Sequence, residues 1–390
     1  MRMHRFLLVP LALVLSAYAL AQSPIASPQP VTSSMQPGGA ASMVARPSPE
    51  PVIKSNPPVI KRQETAPQPN INLQVPLPER ALIRRIAMID IPGRPGFKDL
   101  EFINGCLVMA HPAASTVDVF SIAKRRVIVQ IKDMKGASGV AADQAGARVF
   151  VANTDAGEIA VISARTWQVE NRIPLKAAPD ALLYVPQLDT LYASNWRDHS
   201  ISVIDAKQGT VLNTVVVDGR PQYLAFDPAT KQIFAALEDL RQIAVLDPTL
   251  KVLNRFPVAA SMPTGLALDS TGRRLYVAVR HAVLELDADS GREIRRVAAP
   301  IGIDMLWLDH ASGSLYGVAS GGTIALIKAG NGVFEAQREY NTDVHGHTIA
   351  FDPEKKMIYL PGGRDGRSKL LILRRVEPNE QSPNPEVAKK

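Results

Sequence analysis

Residues 223–237, YLAFDPATKQIFAAL, decide the fold. An apolar stretch runs into Asp227-Pro228, and a second apolar stretch follows. Asp at the first position of a turn caps the backbone with its side chain, and Pro fixes φ at the next. The frame recurs in GVAADQAGARVFVAN (139–153), ALLYVPQLDTLYASN (181–195), GLALDSTGRRLYVAV (265–279), MLWLDHASGSLYGVA (305–319) and TIAFDPEKKMIYLPG (348–362). A weaker copy, DLEFINGCLVMAH (99–111), precedes them. The second stretch is anchored at Leu107, Val149, Leu191, Ile233, Leu275, Leu315 and Ile358, at spacings of 42, 42, 42, 42, 40 and 43 residues. Seven copies at that regularity mark a repeat architecture.

Each copy continues with two more strands. The third reads ISVIDA (201–206), IAVLDP (243–248) or VLELDA (283–288), and the fourth TVLNTVVV (210–217), KVLNRFPV (251–258) or EIRRVAAP (293–300). Four short strands in about 42 residues make one blade of a β-propeller. The two inner strands are apolar nearly throughout, as sheets covered on both faces require. The last copy stops after KLLILRR (369–375), and ALIRRIAMIDIP (81–92) resembles the missing fourth strand. The reading is therefore an all-β, seven-bladed β-propeller over 79–376, its ring closed by an N-terminal strand that completes the last blade.

Composition agrees. Hydrophobic residues make up 46% and charged residues 21% of the 390 residues, enough to bury a core. The 25 Gly and 31 Pro suit a chain of turns and argue against a helical bundle. A single cysteine, Cys106, excludes an intrachain disulfide framework and a Cys-cluster metal site.

Residues 1–21 read as a signal peptide. Arg2 and Arg5 precede the apolar run Phe6–Leu20, and Ala19-Leu20-Ala21 is an A-x-A cleavage site. The run is short for a membrane span. Export would place the protein in the periplasm or outside the cell, away from ATP and NAD(P)H chemistry. Cleavage takes the formal charge from +7 to 42 basic against 37 acidic residues, or +5. Residues 22–78 hold 13 prolines among Ser, Gln and Ala, so a disordered proline-rich linker is expected there, and a disordered tail over 377–390.

The third copy, LYASNWRDHSISVIDAKQGTVLNTVVVDGRPQYLAFDP (191–228), closely resembles the YVTN-type repeat of YncE-like propellers. The likeness runs through all seven copies, although copies four to seven lack the Asn seen at Asn153 and Asn195. It implies a seven-bladed fold and an extracytoplasmic setting. Related propellers include lactonases, some calcium-dependent, and one YncE-like periplasmic protein is associated with DNA binding. No stretch matches a lactonase ligand set residue by residue, so the resemblance assigns no catalytic residue.

Candidate sites come from the repeat alignment. The leading position of each blade's first strand should sit at one mouth of the central channel: Lys98, Ser138, Asp180, Gln222, Thr264, Asp304 and His347. This ring is polar although the strands it begins are apolar, and a concave centre with convergent polar groups is the expected ligand site. If extended, Asp343-Val-His345-Gly-His347 puts three polar side chains on one face. Two imidazoles and carboxylates are a set that Zn²⁺ or a similar divalent metal accepts, with Asp180 and Asp304 adding oxygens. His345, His347, Asp180 and Asp304 are equally candidates for acid–base work on a lactone. The same groups also suit structural hydrogen bonds and turn caps. Trp196 and Arg197 follow the second strand of the third copy, where an aromatic beside a cation suits stacking on a base, sugar or peptide. The loop 361–369, PGGRDGRSK, is basic and glycine-rich but matches no Walker pattern.

The expectation is a non-catalytic platform for an envelope protein, peptide, glycan or small ligand. The rivals are a lactonase-like hydrolase and a single-stranded nucleic-acid binder. Cationic pairs such as Arg295-Arg296 are scattered, and no basic face is legible.

Overall fold

The computed structural model describes residues 82–376. The expected signal peptide, the linker and the tail lie outside the described residues. The described residues belong to one compact unit, 75–390.

Seven four-stranded antiparallel sheets form the blades. Blades 1 to 6 span 100–131, 137–174, 182–216, 221–257, 266–298 and 303–341, each with its strands in chain order. Blade 7 takes three strands from 350–375 and its outer strand, Ile83–Asp90, from the start of the domain. That strand pairs with Arg367–Arg375 from Ile83↔Arg375 to Asp90↔Lys369. The ring is thus closed by hydrogen bonds between the two ends of the domain. Among the described residues no helix is long and apolar enough to cross a membrane.

Apolar clusters hold the blades together. The residue after each second-strand anchor is a large ring in six blades: Phe150, Tyr192, Phe234, Tyr276, Tyr316 and Tyr359, all fully buried. These rings reach the next blade: Tyr276 stacks on Phe334 at 5.5 Å and Tyr316 meets Phe351 at 5.5 Å. Burying such a side chain contributes about 1.5–3 kcal/mol each. Trp307 belongs to the same layer, 4.2 Å from Phe351.

The turn chemistry follows the sequence. Asp143, Asp227, Asp269, Asp309 and Asp352 each accept a backbone N–H two or three residues on, at 2.9–3.1 Å. Two arginines tie neighbouring blades at this end. Arg148 bridges Asp143 and Asp189, and Arg273 bridges Asp227 and Asp289.

The outer strands are the exposed edges. All seven pair with their neighbour through a bulge at the equivalent place. In three of them an Asn side chain (Asn171, Asn213, Asn254) accepts the N–H of the next residue at 2.8–2.9 Å. Bulges and capped amides both discourage edge-to-edge pairing.

Candidate functional site at the channel mouth

A cavity of about 450 Å³ opens at one end of the channel. Six of the seven expected ring residues line it: Lys98, Ser138, Asp180, Gln222, Asp304 and His347. The seventh, Thr264, is buried, and its hydroxyl donates to the Ile303 carbonyl at 2.7 Å. It ties blade 5 to blade 6 instead. Ser138 does both jobs, reaching the Asp180 carbonyl at 3.0 Å from the pocket wall.

Close approach of backbones fixes this wall. The Gly139 amide donates to the Asp180 carbonyl at 2.6 Å. A Cβ at Gly139 would lie 2.3 Å from that oxygen, so only glycine lets blade 3 come this near.

Trp196 and Arg197 also line the cavity. They sit in a single 3-10 turn, Trp196–Asp198, closed by His199 in the left-handed region at φ 50°. Blades 1 and 2 carry the same device at Pro112–Ala114 and Thr154–Ala156. The turn holds the side chains over the mouth. Trp196 Nε1 donates to Glu238 Oε2 at 2.9 Å, and Gln222 Nε2 donates to the same oxygen at 2.8 Å. The Arg220 guanidinium covers the Trp196 ring at 4.7 Å. Arg197 meets Asp155 at 3.1 Å.

His347 reaches the mouth beside Asp304. Its Nδ1 lies 2.9 Å from Asp304 Oδ2, out of line for a hydrogen bond, and Nε2 faces the Phe97 carbonyl at 3.3 Å. Both ring nitrogens therefore face acceptors.

The expected grouping of Asp343, His345 and His347 does not form. Asp343 adopts φ 56°, which breaks the two-residue alternation, and its carboxylate turns to Arg85 at 3.3 Å. His345 pairs by its backbone with Gly363, and its side chain is exposed away from the cavity. Only His347 enters the mouth. Among the described residues no three His, Cys, Asp or Glu side chains are placed to hold a metal ion. The 361–369 stretch is also not an open loop. Met357–Arg364 and Arg367–Arg375 pair through it as a tight hairpin, so its amides are largely committed to the sheet.

The mouth contains residues that the ring reading missed. Asp99 is 8% exposed and joins three blades. Its carboxylate accepts from Leu100 N and Val140 N at 2.9 and 3.0 Å and from the Thr348 hydroxyl at 3.1 Å. Burial pushes its pKa up to about 6, against the pull of those bonds. Glu101, two residues on, is pushed up to about 8 by burial and then by Asp99. Burial raises the Tyr223 hydroxyl well above its ordinary value, and Asp99, Asp304 and Asp180 raise it further. Asp155 and Glu238 complete the wall. They were within reach of the sequence: Glu238 stands one 42-residue repeat after Trp196, and Asp155 one repeat before Arg197.

In blade 1, buried His111 sits between Asp118 and the Arg94 carbonyl, at 2.7 and 2.6 Å. Burial lowers its pKa, but these two acceptors outweigh it and the net shift is upward.

No protein-family model matches the chain, and no curated protein matches it. Among solved structures it is similar to one described as Kuenenia stuttgartiensis hydrazine synthase. The TM-score is 0.61 at 14% identity, over 69% of this chain and 93% of that one. At that identity the likeness is one of fold alone.

Proposed function

We propose that the chain is an exported β-propeller that acts as a non-catalytic binding platform through its channel mouth. One observation carries the reading: ring positions from six blades converge on a single polar cavity. Propellers of one architecture host many functions, so the reading rests on this site and not on the fold. Export is supported by the basic, apolar and A-x-A order of residues 1–21, and the YVTN-type, YncE-like resemblance of 191–228 fits it.

A lactonase-like mechanism with a histidine base needs an imidazole with a lone pair turned to the substrate. Both nitrogens of His347 face acceptors, and His345 is turned away from the cavity. The nucleic-acid reading needs a surplus of cations. The cavity wall carries five carboxylates, Asp99, Asp155, Asp180, Glu238 and Asp304, against Lys98, Arg197 and His347. Both observations favour the platform.

The test is acid release from gluconolactone by the purified chain, with and without Ca²⁺ or Zn²⁺. The platform predicts no release above the uncatalysed rate. Turnover that disappears in His347→Ala would overturn it in favour of the hydrolase.

A further inference from the structure

The charge of the mouth runs against that of the chain. The chain carries a formal +7, yet carboxylates outnumber cations in the cavity wall. Most of the wall's charged groups already have internal partners. Arg197 is held by Asp155, His347 lies against Asp304, and Glu238 takes Trp196 and Gln222. Asp99 is bound to three blades. The Asp180 carboxylate accepts from no side chain among the described residues. The Tyr223 hydroxyl, raised first by burial, is raised further by Asp99, Asp304 and Asp180.

Three exposed apolar side chains stand on loops that carry or lead into wall and ring positions. Leu240, Met262 and Ile301 are 39%, 40% and 57% exposed. They lie on loops of blades 4 to 6, each within three residues of a ring or wall position: Glu238, Thr264 and Asp304. Met262 holds φ 59°, a left-handed backbone that disfavours a long side chain. The loop thus presents an apolar group to solvent from a strained position. A free amine would use the cavity and leave these side chains unused.

We infer that the mouth receives a lysine or arginine side chain presented by a polypeptide, whose flanking apolar residues lie on the Leu240–Met262–Ile301 rim. The cation enters beside Asp180 and Asp304. Charge complementarity selects the basic side chain, and the rim selects a polypeptide over a small amine. This inference rests on the platform reading and names the class of its partner.

The test uses the purified chain and labelled pentapeptide pools, acetylated and amidated at the ends. The central residue is Lys, Arg, norleucine or Glu, and the other four are randomised. Binding is read by fluorescence anisotropy, with 1,5-diaminopentane as the small-amine competitor. The Lys or Arg pool should bind about tenfold more tightly than the norleucine pool. Asp180→Asn and Asp304→Asn should each remove most of that preference while melting like the wild type. Met262→Ser with Ile301→Ser should weaken the Lys pool and leave diaminopentane unchanged. Equal or better binding of the norleucine or Glu pool would overturn the inference, as would binding of none of the pools. Neither result touches the platform reading, which is tested separately by His347-dependent lactone turnover.

Discussion

Trp196 Nε1 donates to Glu238 Oε2 at 2.9 Å, and the two residues are separated by one repeat of 42 residues. They occupy equivalent positions in blades 3 and 4, so the bond joins neighbouring blades at the mouth. Glu238 also fixes Gln222, and Arg220 caps the opposite side of the indole. The half-buried Trp is thereby a fixed part of the cavity wall. A double-mutant cycle of Trp196→Phe and Glu238→Gln should give a coupling of about 1–2 kcal/mol in unfolding free energy, as expected of a charge-assisted bond. Strictly additive effects would mean the bond does not hold the wall.

Asp99 is the only described carboxylate that accepts from blades 1, 2 and 7 together. Asp99→Ala leaves two buried amides without acceptors and should cost about 2–4 kcal/mol in urea unfolding. Asp99→Asn keeps acceptor oxygen and should cost less. A loss equal in both variants would mean that the retained oxygen does not serve the two amides.

The pH dependence of stability has a fixed sign here. Asp99 and Glu101 have folded values of about 6 and about 8, above their ordinary 3.8 and 4.5. Ionising them therefore opposes folding. Their favourable share is complete below the ordinary values and is lost as pH rises through about 6 and then about 8. Glu101→Gln should gain on the order of 2 kcal/mol over wild type at alkaline pH, with no gain in acid. Urea midpoints across that range check it, and a gain that grows towards acid would contradict the assignment.

Tyr192 and Tyr276 fill the same place in blades 3 and 5, but only the first has its hydroxyl satisfied. Tyr192 donates to the Pro248 carbonyl at 2.9 Å, whereas the Tyr276 hydroxyl is buried without a partner. The next blade explains the difference. Pro248 lies in a short turn, while blade 6 replaces that turn with a hairpin at Gly330-Asn331-Gly332. Tyr192→Phe should cost about 1 kcal/mol, and Tyr276→Phe should be neutral or stabilising. Thermal melts of the two variants decide it.

The architecture was legible because it repeats. Anchors 42 residues apart and Asp-led turns are local signals, and each copy supports the others. Closure was legible because IRRIAM resembles EIRRVA, so a strand out of place could still be matched to its role. The ring at the mouth was legible as a column of the same alignment. The rest depends on contacts between copies. Asp99 gains its place from Val140 and Thr348, which are distant in sequence. Asp343-Val-His345-Gly-His347 looked like one face because alternation was assumed. The left-handed Asp343 and the pairing of His345 with Gly363 undo it. Thr264 fits the ring in sequence, but its hydroxyl is drawn to the Ile303 carbonyl.

The claim that the mouth is the working surface can be tested in living cells with one photo-crosslinking experiment. A benzophenone amino acid is placed at Arg197, on the exposed rim of the cavity, or at Leu212, on the exposed outer strand of blade 3. The account predicts discrete adducts from position 197, abolished by Asp180→Asn, and none from position 212. Adducts from position 212 alone would move the binding surface to the blade edge and contradict it.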